Sequence, residues 1–512
     1  MKANLTALLL LLFYVLPGGR ADVRLSPVFS SNMVLQRDVP SKISGWAASG
    51  ETVVVKLGGK VIGHASGAGA ITPWTVTLPV FSAGPVPDLT VEGNNTITLT
   101  NLLAGDVWIC SGQSNMEMTL QSGPWCTYGG VRNATEEVAA ANHPQIRLFA
   151  MLSKQPWAVC APESAQSFSA AAYFFGRELA QRLQVPIGLV QAAVGGTAAE
   201  YWTPRSAREQ WPGFPSALEN ARRFEREQKP VIEAYEQWQK QVTEARRNGQ
   251  PVPARPPEMT TALYAKFSAA RATAGTGKLY ESRIQPLTTM TIKGAIWYQG
   301  EGNVDRAAEY ADLLTQLIGG WRQAWGQGEF PFLIQQLVNF NGGPATWPEL
   351  RAAQQKVVKS VPHTGLAVGI DIGDPDNIHP ANKQEVGRRL ALVALREVYG
   401  RAVVAAGPRP LDSRFEADHV VLRFDPGDQQ PGLVLQAGTD TGFEVAGPDG
   451  KFEPATVEVR ATTLTLRTAK VREPRAVRYA WHGNPTATLF NRAGLPAAPF
   501  RMNAQNASPD GK

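Results

Sequence analysis

The feature that most constrains the fold is an alternation of apolar runs and amphipathic stretches between residues 104 and 400. The apolar runs typical of buried strands are Val107–Cys110, Ile146–Met151, Ile187–Ala193, Gly294–Tyr298, Phe332–Leu337 and Gly365–Ile370. The stretches with helical spacing are Ala172–Leu183, Ala308–Trp325, Glu349–Ser360 and Asn382–Tyr399. This alternation predicts an α/β fold with a parallel sheet covered by helices on both faces. Such a sheet binds its ligand beyond the carboxyl ends of its strands.

The sequence before this segment is β-rich. Residues 22–103 contain short runs of β-forming residues broken by turn signals, as in Thr52–Leu57, Trp74–Leu78 and Asn95–Leu99. Strands at this spacing predict a small β-sandwich domain.

Two further segments depart from the α/β alternation. Residues 203–276 are rich in charged residues with helical spacing on either side of Asn248–Pro251, which predicts a helical insertion in the domain of residues 104–400. Residues 401–503 predict a second β-rich domain, and residues 504–512 a disordered tail. Several domains are expected because 512 residues exceed what one hydrophobic core usually supports.

The N-terminus has the pattern of an export signal. Residues 1–21 carry Lys2, an apolar run over Leu5–Leu16, and small residues before the predicted cleavage point. The run is shorter than the ~20 apolar residues of a membrane-spanning helix. We therefore expect an exported protein, periplasmic or extracellular, and the short basic signal favours a bacterial source.

Charge and cysteine content narrow the function classes. The net charge of +6 is small for this length, and its charges are scattered, which argues against a nucleic-acid partner. The three cysteines are Cys110, Cys126 and Cys160. Because Cys126 and Cys160 both lie in loop-like sequence, we predict that they form a disulfide. The sequence lacks the Cys and His clusters that hold zinc, so no metal site is expected.

The densest chemical signal is Gly105–Met118, where an apolar strand stops in small polar residues around Ser114. A serine at this position lies at the ligand edge of the predicted sheet. Since a serine hydroxyl is a poor nucleophile unless a base takes its proton, the pattern requires a histidine and a group that orients it.

Of the six histidines, His379 is the best candidate base, because it lies in the loop after the last predicted strand. Asp376 precedes it by three residues, within reach of the imidazole on a tight turn. A carboxylate there fixes the tautomer and leaves the other ring nitrogen for Ser114. Asp371 and Asp374 remain competing carboxylates.

An acyl-transfer site also needs hydrogen-bond donors for the oxyanion. The loop Ala193–Thr197 contains adjacent glycines, which allow a backbone N–H to approach a ligand closely. The loop Trp297–Asn303 contributes the amide of Gln299. For each loop the alternative is an ordinary strand-to-helix turn.

Together these blocks resemble the sialate O-acetylesterase family of carbohydrate esterases, within the SGNH hydrolase superfamily. The matching pieces span most of the chain in the family's order and are Phe29–Arg37, Gly105–Met118, Val194–Trp202, Ile296–Glu301 and Asp376–His379. The resemblance implies that the parallel sheet is of the SGNH type, which is flavodoxin-like.

The resemblance also implies roles for five residues. Ser114 is the nucleophile and first oxyanion donor, Gly195 supplies a second donor, and Gln299 stands where simpler SGNH enzymes use asparagine. Asp376 and His379 correspond to the family's DxxH pair. The family often has serine where this chain has Gly302, so we assign Gly302 no role.

The implied function is a serine esterase that removes O-acetyl groups from sugars through an acetyl-serine intermediate, with no metal or organic cofactor. The substrate stays open between O-acetylated sialic acids and acetylated plant cell-wall polysaccharides such as xyloglucan. Arg283 and Arg351 are candidates to pair with a sialate carboxylate. Candidate sugar-stacking aromatics are Trp125, Trp157, Tyr201, Trp202 and Trp347. The alternative function is a non-catalytic carbohydrate-binding protein on the same fold.

Overall fold

The structure is a computed structural model that describes residues 22–504 with some gaps. The gaps are residues 68, 70, 154, 428–431, 437 and 439, and all of residues 261–276 except Leu263, Phe267 and Ala270. The predicted signal peptide, residues 1–21, and almost all of the predicted tail lie outside the described residues.

The strands of the N-terminal part are β1 Arg24–Leu25, β2 Val34–Gln36, β3 Ser41–Ala48, β4 Thr52–Leu57, β5 Lys60–Ser66, β6 Ile71–Leu78, β7 Gly84–Val86, β8 Leu89–Glu92 and β9 Thr96–Leu99. The strands of the central part are β10 Leu102–Gly112, β11 His143–Ala150, β12 Ala158–Cys160, β13 Ile187–Ala193, β14 Gly294–Tyr298, β15 Phe332–Gln335 and β16 Thr364–Ala367. The strands of the C-terminal part are β17 Arg409–Phe415, β18 His419–Asp425, β19 Leu433–Leu435, β20 Phe443–Ala446, β21 Phe452–Pro454, β22 Thr456–Arg460, β23 Thr463–Arg467, β24 Ala476–Tyr479, β25 Leu489–Asn491 and β26 Phe500–Asn503.

The α-helices are α1 Ser114–Glu117, α2 Ala134–Ala139, α3 Pro162–Ala165, α4 Ala170–Leu183, α5 Arg205–Glu209, α6 Phe214–Glu227, α7 Lys229–Arg247, α8 Ala307–Trp325, α9 Trp347–Ser360 and α10 Lys383–Glu397.

The central sheet has the strand order β12-β11-β13-β10-β14-β15-β16. All neighbouring pairs are parallel except β11 with β12, which are antiparallel. The predicted α/β fold with a parallel sheet is confirmed. The edge strand β12 was not predicted, because a strand of three residues is too short to show a strand pattern in the sequence.

Alternate residues of the central strands contact opposite faces of the sheet, as the period of two requires. Val107 and Ile109 pack in one hydrophobic cluster with helices α8 and α9. Trp108 and Cys110 pack in another cluster with α4 and α10. The sheet therefore has helices on both faces.

Strand β10 is unusually long and connects the N-terminal part to the central sheet. Its first residues pair with β2 and β7, and its later residues pair with β13 and β14. All eleven residues of β10 are buried. The strand crosses the predicted domain boundary after residue 103, and the boundaries themselves stay predictions.

The N-terminal strands form two small sheets, β1-β3-β6 and β5-β4-β8-β9. Ile43 and Val76 of the first sheet share a hydrophobic cluster with Val53 and Val91 of the second. The same cluster continues into the central part of the protein through Val107.

The C-terminal strands form two four-stranded sheets, β17-β18-β23-β22 and β21-β20-β24-β26, and the pair β19-β25. Their buried side chains form a separate hydrophobic cluster, which Ile370 joins from the loop after β16.

The segment of residues 203–276 contains α5, α6 and α7. Its helices carry a small hydrophobic cluster of their own that includes Tyr235, Met259 and Phe267. Most of the stretch predicted to be helical after Pro251 lies outside the described residues. No helix in the described ranges is long and apolar enough to cross a membrane.

The predicted disulfide is wrong, since Cys110, Cys126 and Cys160 are all free and buried. Cys160 ends β12, and its thiol lies 3.7 Å from the carbonyl oxygen of Ala141. Cys126 lies instead in the loop that follows α1, where its backbone pairs with Gly123. Cys160 is thus part of a strand and not of a loop, and the structure forms no disulfide between Cys126 and Cys160.

Candidate active site

Three neighbouring strands end level with one another at the carboxyl edge of the sheet. Gly112 at the end of β10 pairs with Ala193 at the end of β13 and with Tyr298 at the end of β14. The loops that follow these strands carry Ser114, Gly195 and Gln299, respectively. The topology therefore collects the predicted nucleophile and oxyanion residues on one edge.

Ser114 begins α1, directly after the end of β10. The turn passes through Gly112, whose φ of +142° and lack of a side chain keep it against Tyr298, where a Cβ would lie 2.1 Å from the carbonyl oxygen. Ser114 retains 8% of its surface exposed. As the first helical residue it offers its N–H at a helix N-terminus, where amides lack partners within the helix.

Gly195 lies against the nucleophile. A Cβ added to Gly195 would lie 3.3 Å from the Ser114 Cβ and 2.8 Å from both the Tyr128 hydroxyl and Glu117 Oε2. A side chain at position 195 would clash with these groups, so only glycine fits here. In this structure the Gly195 N–H donates to Glu117 Oε2 at 2.8 Å.

Tyr128 connects the Gly195 loop to the histidine. Its ring stacks on the imidazole of His379 with 4.4 Å between centroids and 19° between ring planes. Its hydroxyl donates to the carboxylate of Glu117. Burial, followed by the neighbouring Glu117 carboxylate, raises the pKa of Tyr128, so the hydroxyl keeps its proton at neutral pH.

The predicted carboxylates of the DxxH loop differ in their surroundings. Asp371 forms a two-pronged ion pair with Arg389, with distances of 2.5 and 2.7 Å. Asp374 accepts a hydrogen bond from the backbone N–H of Asp376. The Asp376 side chain is exposed to solvent. Asp371 is therefore committed to a structural ion pair, whereas the Asp376 side chain makes no ion pair with the described residues.

The structure brings Ser114 and His379 into one cluster without closing the hydrogen-bond chain between them. Within the described residues, no hydrogen bond joins the Ser114 hydroxyl to the His379 ring or the ring to Asp376. The backbone N–H of His379, not its ring, donates to Asn377 Oδ1 at 2.9 Å. The triad of Ser114, Asp376 and His379 thus stays a prediction.

Gln299 is fully buried and tightly held. Its Nε2 lies 2.8 Å from Asn303 Oδ1 and 3.2 Å from both Gln113 Oε1 and the Thr197 carbonyl. The Tyr310 hydroxyl donates to Gln299 Oε1 at 2.8 Å. Its amide therefore ties the three strand-end loops together, and an oxyanion role for it stays a prediction.

A buried polar network lies beside the nucleophile. Asn115 Nδ2 donates to Glu301 Oε1 at 2.7 Å and to the Ile378 carbonyl at 2.9 Å. Lys383 Nζ donates to Asn115 Oδ1 at 2.9 Å and to the Pro380 carbonyl at 2.7 Å. The network therefore contacts the residues on both sides of His379.

Burial controls the charges of this network. It lowers the pKa of Lys383 to about 7, against the opposing influence of Glu301. Burial also raises the pKa of Glu301. The pKa of His379 is lowered to about 4 by burial and then by the positive charge of Lys383. At neutral pH His379 is uncharged, as a general base must be.

One of the two arginines predicted for sialate binding is structural. Arg351 is 0% exposed and donates to the carbonyl oxygens of Leu337, Val338, His482 and Gly483. That prediction is wrong because proximity to a strand end does not determine where a side chain points. Arg283 is partly buried and donates to the Met151 carbonyl, in the loop after β11.

Among the five predicted stacking aromatics, three belong to the core. Trp157, Trp202 and Trp347 are each at most 2% exposed. Tyr201 is partly buried. Trp125 is 49% exposed, so among these five aromatics it offers the most exposed ring to a sugar.

Five residues of the site were not predicted from the sequence: Asn115, Glu117, Tyr128, Glu301 and Lys383. Asn115 and Glu117 stood inside the block chosen for Ser114, and Glu301 stood beside Gln299. Lys383 offered no signal of its own, because lysine is almost always a surface residue.

Gly302 has a structural task. Its N–H donates to Gln113 Oε1 at 3.0 Å, and a Cβ would lie 2.9 Å from the Thr197 carbonyl oxygen.

In the residues that the structure describes, no three His, Cys, Asp or Glu side chains are grouped so as to hold a metal ion.

The chain matches the protein family described as carbohydrate esterase, sialic acid-specific acetylesterase, over residues 104–239 and 263–396. The unmatched residues between these ranges lie within the predicted helical insertion.

Whole-chain relatives agree with this match. Sialate O-acetylesterase from Rattus norvegicus is 32% identical over 556 aligned positions, which cover 96% of each chain. The enzyme of the same name from Mus musculus is 30% identical and is covered over 94% of its length by 93% of this chain.

A solved structure agrees as well. The crystal structure of a novel carbohydrate acetylesterase from Xanthomonas citri shares 31% sequence identity and superposes with a TM-score of 0.75. The match covers 94% of this chain and 100% of the other.

Proposed function

Because the chain belongs to the sialic acid-specific acetylesterase family of carbohydrate esterases and is a carboxylic ester hydrolase, we propose that it cleaves sugar O-acetyl esters through an acetyl-Ser114 intermediate. The family favours this enzyme over a non-catalytic carbohydrate-binding protein.

The observation that carries the proposal is the arrangement around Gly195. The space that a side chain would fill there is bounded by the Ser114 Cβ at 3.3 Å and by the Tyr128 hydroxyl at 2.8 Å. Tyr128 in turn stacks on His379. The nucleophile and a backbone N–H are therefore close neighbours, and Tyr128 links them to a neutral imidazole, which is the set of groups that attack on an ester carbonyl needs.

In the first proposed step, the Ser114 oxygen attacks the acetyl carbonyl while His379 takes the hydroxyl proton. Collapse of the tetrahedral intermediate breaks the bond to the sugar oxygen, and His379 returns the proton to that oxygen. Water then attacks the acetyl-serine with His379 again as base, which releases acetate and restores Ser114.

Asp376 is proposed to orient the imidazole and stabilise its charged form during these steps. Its exposed carboxylate makes no competing ion pair in the described residues, and it shares a short loop with His379. Substrate binding would have to bring the two side chains into hydrogen-bond contact, since catalytic hydrogen bonds are often long before substrate binds.

The proposed oxyanion donors are the N–H groups of Ser114 and Gly195, with Gln299 as a third. Losing one such donor typically costs about 3 to 4 kcal/mol of transition-state stabilisation. The Gly195 N–H faces Glu117 in this structure, so an ester oxygen must displace that carboxylate.

The proposed substrate class is an O-acetylated sugar, either a sialic acid or an acetylated plant oligosaccharide such as a xyloglucan fragment. The relatives from rat and mouse are named sialate O-acetylesterases. The exposed ring of Trp125 supplies a flat apolar surface of the kind that sugar rings stack on. Of the two arginines considered for a sialate carboxylate, Arg283 is the one that remains.

The experiment is acetate release by the purified chain, by Ser114→Ala and by Ser360→Ala, where Ser360 is an exposed helix-terminal serine. The substrates are 4-nitrophenyl acetate, O-acetylated sialic acids and acetylated plant oligosaccharides. We expect Ser114→Ala to lose activity and Ser360→Ala to keep it. The group of natural esters that releases acetate fastest identifies the sugar.

Intact mass after rapid acid quench tests the intermediate separately. One added acetyl group on the wild type, absent from Ser114→Ala, supports the covalent step. Full activity of Ser114→Ala on all three substrates would refute the proposed nucleophile.

We also propose export, with residues 1–21 removed. N-terminal sequencing of the protein recovered from the periplasm or medium of a bacterial host tests this proposal. A mature N-terminus at Asp22 supports it, and retention of Met1 in the cytoplasm contradicts it.

A further inference from the structure

Two side chains, those of Asn115 and Lys383, fasten the loop that carries His379 to the helix that carries Ser114. Asn115, which follows Ser114, donates to the carbonyl of Ile378, which precedes His379. Lys383 donates to the carbonyl of Pro380, which follows His379. The nucleophile and the base are therefore held through their immediate neighbours.

Lys383 completes this connection by donating to Asn115 Oδ1 at 2.9 Å. Asn115 thus accepts from Lys383 with its oxygen and donates with its nitrogen to Glu301 and to the His379 loop. Both Asn115 and Lys383 are 0% exposed. A buried amide with all its polar atoms engaged has one orientation, so it fixes the distance between the two elements.

A lysine with no exposed surface is costly, since burial of a charge is unfavourable unless it is compensated. The groups that face Lys383 are the ring of Tyr298, whose centroid lies 5.8 Å from Nζ, the carboxylate of Glu301, the thiol of Cys126 and the imidazole of His379. In the described residues no carboxylate lies within ion-pair distance of Nζ. Its hydrogen bonds to Asn115 and Pro380 and the attraction of the nearby Glu301 carboxylate compensate for its burial.

Resting on the proposed roles of Ser114 and His379, we propose that Lys383 is a positioning residue that holds the His379 loop on the Ser114 helix through Asn115. Because Lys383 Nζ lies 2.7 Å from the carbonyl oxygen of Pro380, the residue after His379, its ammonium group also opposes protonation of the imidazole.

The charges have the right sign and order for this effect. Lys383 has a pKa of about 7, so it is positively charged at the lower pH values where His379 titrates. A nearby positive charge disfavours the imidazolium form, and it contributes to a His379 pKa of about 4. Glu301 opposes this effect, but burial raises its own pKa and so weakens its negative charge at acidic pH.

The test measures the titration of His379 by NMR of ¹³C-labelled histidine rings, with His379→Gln to assign the signal. This measurement does not depend on esterase activity. We expect Lys383→Met to raise the His379 pKa by about one unit or more, since the nearby positive charge is lost. Lys383→Arg keeps the charge and should keep the pKa close to that of the wild type.

The kinetic readout uses the same variants with 4-nitrophenyl acetate across the acidic pH range. We expect Lys383→Met to lower kcat by about 10- to 100-fold, as small misplacements of catalytic groups do, with a smaller change in KM. In this variant the fall of kcat/KM at acidic pH, the acid limb, should begin at a higher pH. Asn115→Ala removes the connection but not the charge, so it should lower kcat without moving the acid limb.

Lys359→Met, at an exposed lysine in the last turn of α9, is the matched control and should change neither readout. If Lys383→Met does not fold, Lys383→Gln replaces it with the same expected pKa change. An unchanged His379 pKa in the neutral variants overturns the proposed effect of the charge, and an unchanged kcat in them overturns the positioning role, whatever the activity of Ser114→Ala. A shifted His379 pKa in a chain whose Ser114→Ala variant stays active would refute the proposed function alone.

Discussion

The ring of Tyr128 lies nearly parallel to the imidazole of His379, with 4.4 Å between the centroids. The stack covers one face of the imidazole and limits its rotation toward solvent. It holds the ring itself, whereas Asn115 and Lys383 hold the backbone on either side of His379.

Replacing Tyr128 by alanine should lower kcat for 4-nitrophenyl acetate by about 3- to 10-fold, because an aromatic pair contributes about 0.5–1.5 kcal/mol beyond its buried area. Tyr128→Phe keeps the ring and serves as the control for the stack. If both variants lose the same activity, the hydroxyl bond to Glu117, and not the stack, is the important contact.

Glu117→Ala should raise kcat/KM by about 10-fold, the equivalent of one charge-assisted hydrogen bond. The reason is that Glu117 Oε2 accepts from the Gly195 N–H and so competes with the ester oxygen for that donor. Steady-state kinetics with a small acetate ester measure the effect. A loss of activity would mean that Glu117 supports the Gly195 loop instead of competing with substrate.

The pH profile of kcat/KM should have its acid limb near pH 4. His379 must be neutral to accept the Ser114 proton, and its pKa is about 4, so activity is present above that value and falls as pH drops through it. An acid limb above pH 6, where an ordinary histidine titrates, would contradict the lowered pKa of His379.

Asp371 and Asp376 should respond differently to the same amide substitution. Asp376→Asn should reduce kcat by about 100-fold or more with an unchanged melting temperature, because the side chain is exposed and its proposed role is to orient His379.

Asp371→Asn should instead lower the free energy of unfolding by about 1.5–3 kcal/mol, because Arg389 loses a charged partner at 2.5 Å. Thermal and urea unfolding, with kcat measured on the folded fraction, separate the two effects. A large kcat loss in Asp371→Asn alone would exchange the proposed roles.

Arg351→Lys should destabilise the protein without changing the ratio of its activities on sialate and neutral sugar esters. The guanidinium donates to four carbonyl oxygens, two of which lie in the C-terminal part at His482 and Gly483. An ammonium group has three donors and cannot reproduce this planar arrangement. A selective loss of activity on sialate esters would restore Arg351 as a substrate-binding residue.

The sequence was most informative where strands are fully buried. Ile187–Ala193 and Gly294–Tyr298 were predicted with their observed bounds, since each is a short apolar run that reaches a glycine or polar residue within two positions of its end. The short edge strand β12 was missed because three residues carry no periodic signal.

Side-chain orientation was the part of the site that the sequence could not supply. Residues following strands β10, β13 and β14 were correctly expected to gather, because parallel strands share a carboxyl edge. Which polar groups turn inward depends on packing between distant segments. Arg351 therefore proved to be structural. Lys383 proved to be buried, although lysine side chains are almost always exposed.

The length of β10 limits how this protein can be divided. Leu103 and Ala104 pair with β2 and β7, while Ser111 and Gly112 at the other end pair with the strands that position Gly195 and Gln299. A fragment starting near residue 104 would leave the strand leading to Ser114 with an unpaired, apolar end, which is an aggregation hazard. We therefore expect the central sheet to need the N-terminal strands β2 and β7 in order to fold.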